Sequence, residues 1–237
     1  MITNSNQSIL NIINTQKNLK INLGCGRNIK PGWINVDGWK RAEIDLVCDL
    51  SKNFPFKESS CAYIYSEHFI EHLDWLDGYE LIENCYKSLA KGGIFRIVFP
   101  DFKKLFKAYI EGDDYFLEQY SNGLNTKDLT YYRSVYENPE KIEAERKDNP
   151  PPAWHLSENQ DERRNVKRRA REHKLPIESI DWAVHQFGEH KTVYDNTLMK
   201  SILTGLGFSR AYDSSYDKTM DSSAYFTPGC CYIEAIK

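Results

Sequence analysis

INLGCGRNIKPGWINVD, residues 21–37, places an apolar run before two closely spaced glycines, breaks at Pro31-Gly32, and resumes with a second apolar run ending in Asp37. Short, fully apolar runs joined by crossovers are the pattern of parallel strands buried on both faces. Glycines at the exit of the first strand permit positive φ and leave main-chain N–H groups open to close approach. By themselves, Gly24 and Gly26 fit ordinary turn chemistry equally well.

The same rhythm continues outward. Three more apolar runs follow, IDLVC (44–48), AYIYS (62–66) and GIFRIVF (93–99). Between the last two, Tyr79, Ile82, Tyr86 and Leu89 recur at helical spacing, with Gly92-Gly93 as the expected stop. Asp101 is placed to cap a further helix striped by Phe102, Leu105, Phe106 and Tyr109 and ended by Gly112. Near the C-terminus, Asp195 caps a helix carrying Leu198, Ile202, Leu203 and Leu206, with Gly205 and Gly207 terminating it. Two strand-like stretches follow, FSRAYDSSY (208–216) and CCYIEAIK (230–237). A loop joins them, so they are expected to pair antiparallel at one edge. The fold class is therefore α/β: a doubly wound, mostly parallel seven-stranded sheet with an antiparallel C-terminal edge and a helical insertion.

Residues 113–190 have another character. They contain NPPPAW (149–154) and DERRNVKRRAREHK (161–174), and Pro176 opens an amphipathic stretch with Ile177, Ile180, Val184 and Phe187. Too little apolar material is present for a core of its own. The expected organisation is an N-terminal extension (1–20), a core formed by 21–112 and 191–237, and a helical insertion or lid (113–190).

Composition narrows the class. With 237 residues, 41% hydrophobic and 27% charged, the chain can bury a sizeable core. A net charge of −3 is unlike a nucleic-acid wrapper or a polybasic membrane arm. No run reaches the roughly 18 apolar residues of a membrane span. The first twenty residues lack the basic start and apolar centre of a signal peptide. Six cysteines, none in C-x-x-C, read as reduced thiols of a cytoplasmic protein.

In an open α/β sheet, ligands bind at the carboxyl ends of strands where the strand order reverses. Gly24 and Gly26 stand at the first such exit, and Asp37 ends the second strand, suited to accept hydrogen bonds from a ribose diol. A dinucleotide fingerprint would need a third glycine at position 29, which is Ile, and an acid about 20 residues on. A Walker loop would need Gly-Lys-Ser/Thr, which is absent. The pattern favours a nucleoside without a pyrophosphate.

NLGCG, PGWINVD, DLVCDLSKNFPF, IYSEHFIEHL, LAKGGIFRIVFPD and the late HKTVYD…LGF together resemble the class I S-adenosylmethionine-dependent methyltransferases. They are most similar to the type-11-like small-molecule group often associated with surface-polysaccharide biosynthesis. The resemblance is close over 21–111 and loose over 185–237. It implies a transferase that takes S-adenosyl-L-methionine and releases S-adenosyl-L-homocysteine. On this footing Gly24, Cys25 and Gly26 line the methionine part and Asp37 takes the ribose hydroxyls. Asp49 holds the adenine amino group, Leu50 lies against the ring, and Ser66 and Glu67 border the sulfonium. One departure stands out. Pro31 and the short first connection leave only an abbreviated first helix. The alternatives are a non-catalytic nucleoside-binding protein of the same fold and an NAD-dependent reductase.

Methyl transfer is an in-line substitution, and a hydroxyl acceptor calls for a base. His68 in SEHFIEH is the candidate base, or it packs on the sheet and bonds backbone. His72 is read as structural. Asp101 is a helix cap, an acceptor contact, or both. His190 is expected to touch the acceptor and His185 to hold the junction. Arg163 and Arg164 lie in a run with seven Lys/Arg against three acids, read either as a solvated helix or as a lid face gripping a phosphorylated acceptor. Trp154, Trp182 and Tyr131-Tyr132 stack on a ligand or pack the lid. Sequence spacing gives no metal pattern. The expected partner is a small acceptor, an oxygen of a sugar or of a phosphorylated or nucleotide-linked metabolite, with no nucleic acid.

Overall fold

In the computed structural model, residues 4–117, 176–185, 189–222 and 227–237 are described. The sheet contains β1 (Leu19–Leu23), β2 (Ile34–Asp37), β3 (Leu46–Val47), β4 (Cys61–Glu67), β5 (Leu89–Pro100), β6 (Arg210–Asp213) and β7 (Cys230–Ile236). Their order is β3-β2-β1-β4-β5-β7-β6. The first five pair in parallel, whereas β7 runs antiparallel to both β5 and β6. The seven-stranded sheet with its antiparallel edge is the architecture expected from the sequence.

The described helices are α1 (Asn4–Thr15), α2 (Trp75–Ser88), α3 (Phe102–Glu111), α4 (Pro176–His185) and α5 (Asn196–Gly205), with 3₁₀ turns at Ile70–His72 and Thr227–Gly229. Ile21, Leu23, Ile64 and Ile97 are fully buried in the main core, each side chain contributing about 1.5–3 kcal/mol by leaving water. Ile13 of α1 is buried in the same core, so part of the N-terminal extension packs as an integral layer. Leu105 and Ala108 of α3 meet Ile180 and Ala183 of α4 in a smaller cluster, which joins these two helices.

Local signals hold at the caps. Asp101 accepts from Lys104 N at 3.2 Å, Asp195 accepts from Leu198 N at 2.7 Å, and Gly112 closes α3 at φ 69°. Several expected boundaries move. Helix α2 stops at Ser88 rather than at Gly92-Gly93, because Leu89 turns extended, pairs with Cys61 and is fully buried. The third apolar run gives only a two-residue strand. The β1–β2 connection contains no helix. Its turns are closed by Asn28 N to Cys25 O at 2.8 Å and Trp33 N to Lys30 O at 3.2 Å.

The order reverses at β1, which lies between β2 and β4. Leu23 is level with Val36 on one side and Ser66 on the other. Gly24, Asp37, Ser66 and Glu67 therefore leave the sheet side by side at its carboxyl edge.

Candidate active site

The β1 exit is built on two left-handed glycines, Gly24 at φ 59° and Gly26 at φ 51°. A Cβ on Gly26 would meet nothing within 4 Å, so its face is open. Gly24 is different: a Cβ there would lie 2.2 Å from Phe69 Cγ, so the aromatic ring already lies against this glycine. Gly26 N donates to Asp37 Oδ2 at 2.8 Å, and Trp39 N donates to Asp37 Oδ1 at 2.8 Å. Asp37 thus lies beside the glycine turn, as expected, but both carboxylate oxygens hold backbone. Cys25 is buried, with its N donating to Val36 O at 3.0 Å, and burial first, then Asp37, pushes its thiol up to about 12.

Asp49 follows β3. Its Oδ1 accepts from Ser51 N and Ser51 Oγ at 3.1 and 2.6 Å, and Oδ2 lies 3.4 Å from Lys52 Nζ. Leu50 is buried in the main core. Ser66 is buried and its Oγ has no hydrogen-bond partner, an unusual state for a buried hydroxyl. Glu67 is held by Asn28 Nδ2 at 2.6 Å and Ser222 N at 2.8 Å. The loop after β6 therefore covers part of the same edge.

His68 has a left-handed backbone, φ 49°, a strained conformation for a non-glycine residue that is concentrated at functional sites. Its Nδ1 lies 3.0 Å from Glu71 Oε1 and its Nε2 3.3 Å from Cys230 Sγ. Burial opposes charge on this imidazole, but Cys230 and Glu71 outweigh it and raise the pKa to about 10. Both ring nitrogens of His68 are engaged in this arrangement. Burial works against ionisation of Glu71 as well, yet His68, His72 and His190 bring its pKa to about 2. His190 is buried, with Nδ1 2.7 Å from Ala183 O, and burial lowers its pKa.

Asp101 borders a cleft of about 390 Å³ with Lys104, Tyr216, Cys230 and Tyr232. Lys104 Nζ lies 3.3 Å from Asp101 Oδ2. His190 does not line this cleft; its ring packs edge-on against Phe102, the neighbour of Asp101, at 6.4 Å between centroids. Arg163, Arg164, Trp154, Tyr131 and Tyr132 lie outside the described residues, as does the Trp182 side chain.

A second network was missed in the sequence. Arg96 of β5 is fully buried, and its Nε donates to Asp221 Oδ1 at 2.9 Å while Nη1 donates to Glu234 Oε1 at 2.9 Å. Tyr65 OH donates to Asp221 Oδ1 at 3.2 Å. Lys30 lies 4.0 Å from the Tyr65 ring centroid and bonds Met220 O, with burial lowering its pKa. The one available signal was an arginine inside an apolar strand. None of the six cysteines forms a disulfide. Among the described residues, no helix is long and apolar enough to cross a membrane.

No protein-family model matches the sequence, and no curated protein matches it. Solved structures do match. One is a SAM-dependent methyltransferase of Archaeoglobus fulgidus, at 14% identity over 98% of this chain and 90% of that one, with a TM-score of 0.48. Another is a SAM-dependent methyltransferase of Thermotoga maritima, at 12% identity over 98% of this chain and 88% of that one, with a TM-score of 0.45.

Proposed function

We propose that this chain is an S-adenosylmethionine-dependent methyltransferase acting on a small acceptor. The observation that carries the reading is the pairing of Gly26 N with Asp37 Oδ2 at 2.8 Å, at the one place where the parallel strand order reverses. The partnerless Ser66 Oγ at the neighbouring strand end and the open face of Gly26 fit a polar ligand laid across that edge. Gly24, Cys25 and Gly26 would hold its amino-acid part, Asp37 its ribose, Asp49 and Leu50 its base, and Ser66 and Glu67 its charged end. When bound, the cofactor supplies an electrophilic methyl group with a good leaving group. The chain's own work is to hold the acceptor in line and keep water out.

For the acceptor, an oxygen of a sugar or of a phosphorylated metabolite remains the proposal, with surface-polysaccharide biosynthesis as the setting the sequence resemblance implies. Lys104 beside the Asp101 cleft offers a cation to an anionic group. An acceptor hydroxyl can use His68 as base only by displacing the Cys230 thiol from Nε2. An already ionised phosphate-type oxygen avoids that requirement.

A second reading is favoured by the Phe69 ring on Gly24 and by the two backbone bonds on Asp37: a nucleoside-binding protein of this fold without turnover. Calorimetric titration decides the cofactor class. S-adenosylhomocysteine is expected to bind and NADH not to bind; the reverse result overturns the proposal. Methyl uptake by a panel of nucleotide sugars then separates catalysis from binding alone.

A further inference from the structure

Beside this edge lies a group of donors that sequence spacing did not bring together. Glu71 and His72 belong to the 3₁₀ turn Ile70–His72, and His190 comes from the segment leading into α5. Each offers one ligand atom within 4.8 Å of the others. The two segments are fixed against each other by main chain. Lys191 N and Thr192 N donate to Glu71 O at 2.8 and 3.2 Å, and Thr192 Oγ1 donates to Leu73 O at 2.7 Å.

The details around the donors match those of a metal centre. Glu71 is 1% exposed. Its Oε1 is engaged by His68 Nδ1 at 3.0 Å, whereas Oε2 is buried with no hydrogen-bond partner. Leaving a buried carboxylate oxygen without a partner is costly. His190 Nδ1 faces the Ala183 carbonyl at 2.7 Å, which assigns the proton to Nδ1 and leaves the Nε2 lone pair 4.0 Å from Glu71 Oε1. An imidazole nitrogen facing a buried carboxylate is completed by a cation at that nitrogen, either a proton or a metal ion. The His190–carbonyl and Glu71–His68 contacts are the outer hydrogen bonds that orient metal ligands.

We infer that Glu71, His72 and His190 form a binding site for a divalent transition-metal ion of the zinc type. Two imidazoles and one carboxylate are a zinc donor set, poorly suited to calcium or magnesium, which prefer oxygen. Bonds of about 2.0–2.1 Å put tetrahedral donors about 3.3 Å apart, so the site closes by roughly an ångström or more. Three protein ligands leave the fourth position to water. Such an ion clamps the turn after β4 to the segment entering α5. The inference is independent of the methyl-transfer reading.

The test uses the full chain, stripped with a chelator and titrated with Zn²⁺ and with Co²⁺. One equivalent is expected to bind, with the ligand-field absorption of tetrahedral cobalt on nitrogen and oxygen and no thiolate charge-transfer band. The double variant H72Q/H190Q is expected to lose at least about a hundredfold in affinity, while H185Q retains it. Should the double variant not fold, the cobalt spectrum of the unaltered chain decides. Absence of stoichiometric binding, a thiolate band, or unchanged affinity in a folded double variant overturns the site.

Discussion

Phe69 and Gly24 occupy one space: a Cβ at residue 24 would stand 2.2 Å from Cγ and 2.6 Å from Cβ of the aromatic side chain. Gly24→Ala therefore overpacks against the buried Phe69 ring, costing about 1–3 kcal/mol, and adds strain at φ 59°. Urea unfolding of G24A, F69A and the double variant should show non-additivity, because removing the ring relieves the contacts with its carbons while the Phe69 Cβ contact and the φ strain remain.

Phe69 also governs access to the glycine turn. Phe69→Ala removes the ring from the face of Gly24 and is expected to tighten S-adenosylhomocysteine binding, at a stability cost of about 3–5 kcal/mol. Calorimetry on the folded alanine variant is the measurement, and unchanged affinity would show that the ring does not guard the site.

Asp37 joins the turn to the second strand through two backbone bonds. Asp37→Ala leaves Gly26 N and Trp39 N without their acceptors, costing about 1–3 kcal/mol. It should also abolish S-adenosylhomocysteine binding. Titration of a folded D37A protein that still bound the ligand would remove Asp37 from the site.

Arg96 and Asp221 form an almost fully buried ion pair, and Glu234 gives the arginine a second carboxylate. Arg96→Met strands Asp221 in the interior, with an expected loss of about 3–5 kcal/mol. R96M/D221N should recover much of that loss, since the uncompensated charge is gone. Chemical denaturation of R96M, D221N and R96M/D221N reads the coupling directly.

Burial pushes the Cys25 thiol up to about 12 and the Cys48 and Cys61 thiols up to about 11, from an ordinary 9.0. The unfolded chain loses these protons at lower pH than the folded one. Their contribution to stability is therefore complete below about pH 9 and falls away between 9 and 12. Denaturation midpoints should drop across that window. Native thiols should react with Ellman's reagent at pH 8 far more slowly than unfolded ones, because thiolate is the reactive form.

The sequence alone determined the sheet. Uniform apolar runs, crossovers, and the caps at Asp101, Asp195 and Gly112 act over a few residues, so they were readable without coordinates. It also placed Gly26 beside Asp37, because neighbouring parallel strands bring their ends together. Only tertiary structure decided what stands at those ends. Phe69 lies on Gly24, Asp221 meets Arg96 across 125 residues, and His190 reaches Glu71 from a distant segment. Burial and ionisation depend on such contacts, and side-chain direction at a loop is set by whatever packs against it. Local pattern carries no record of that partner, so the doubly engaged His68 ring and the histidine–glutamate cluster emerged only from the folded chain.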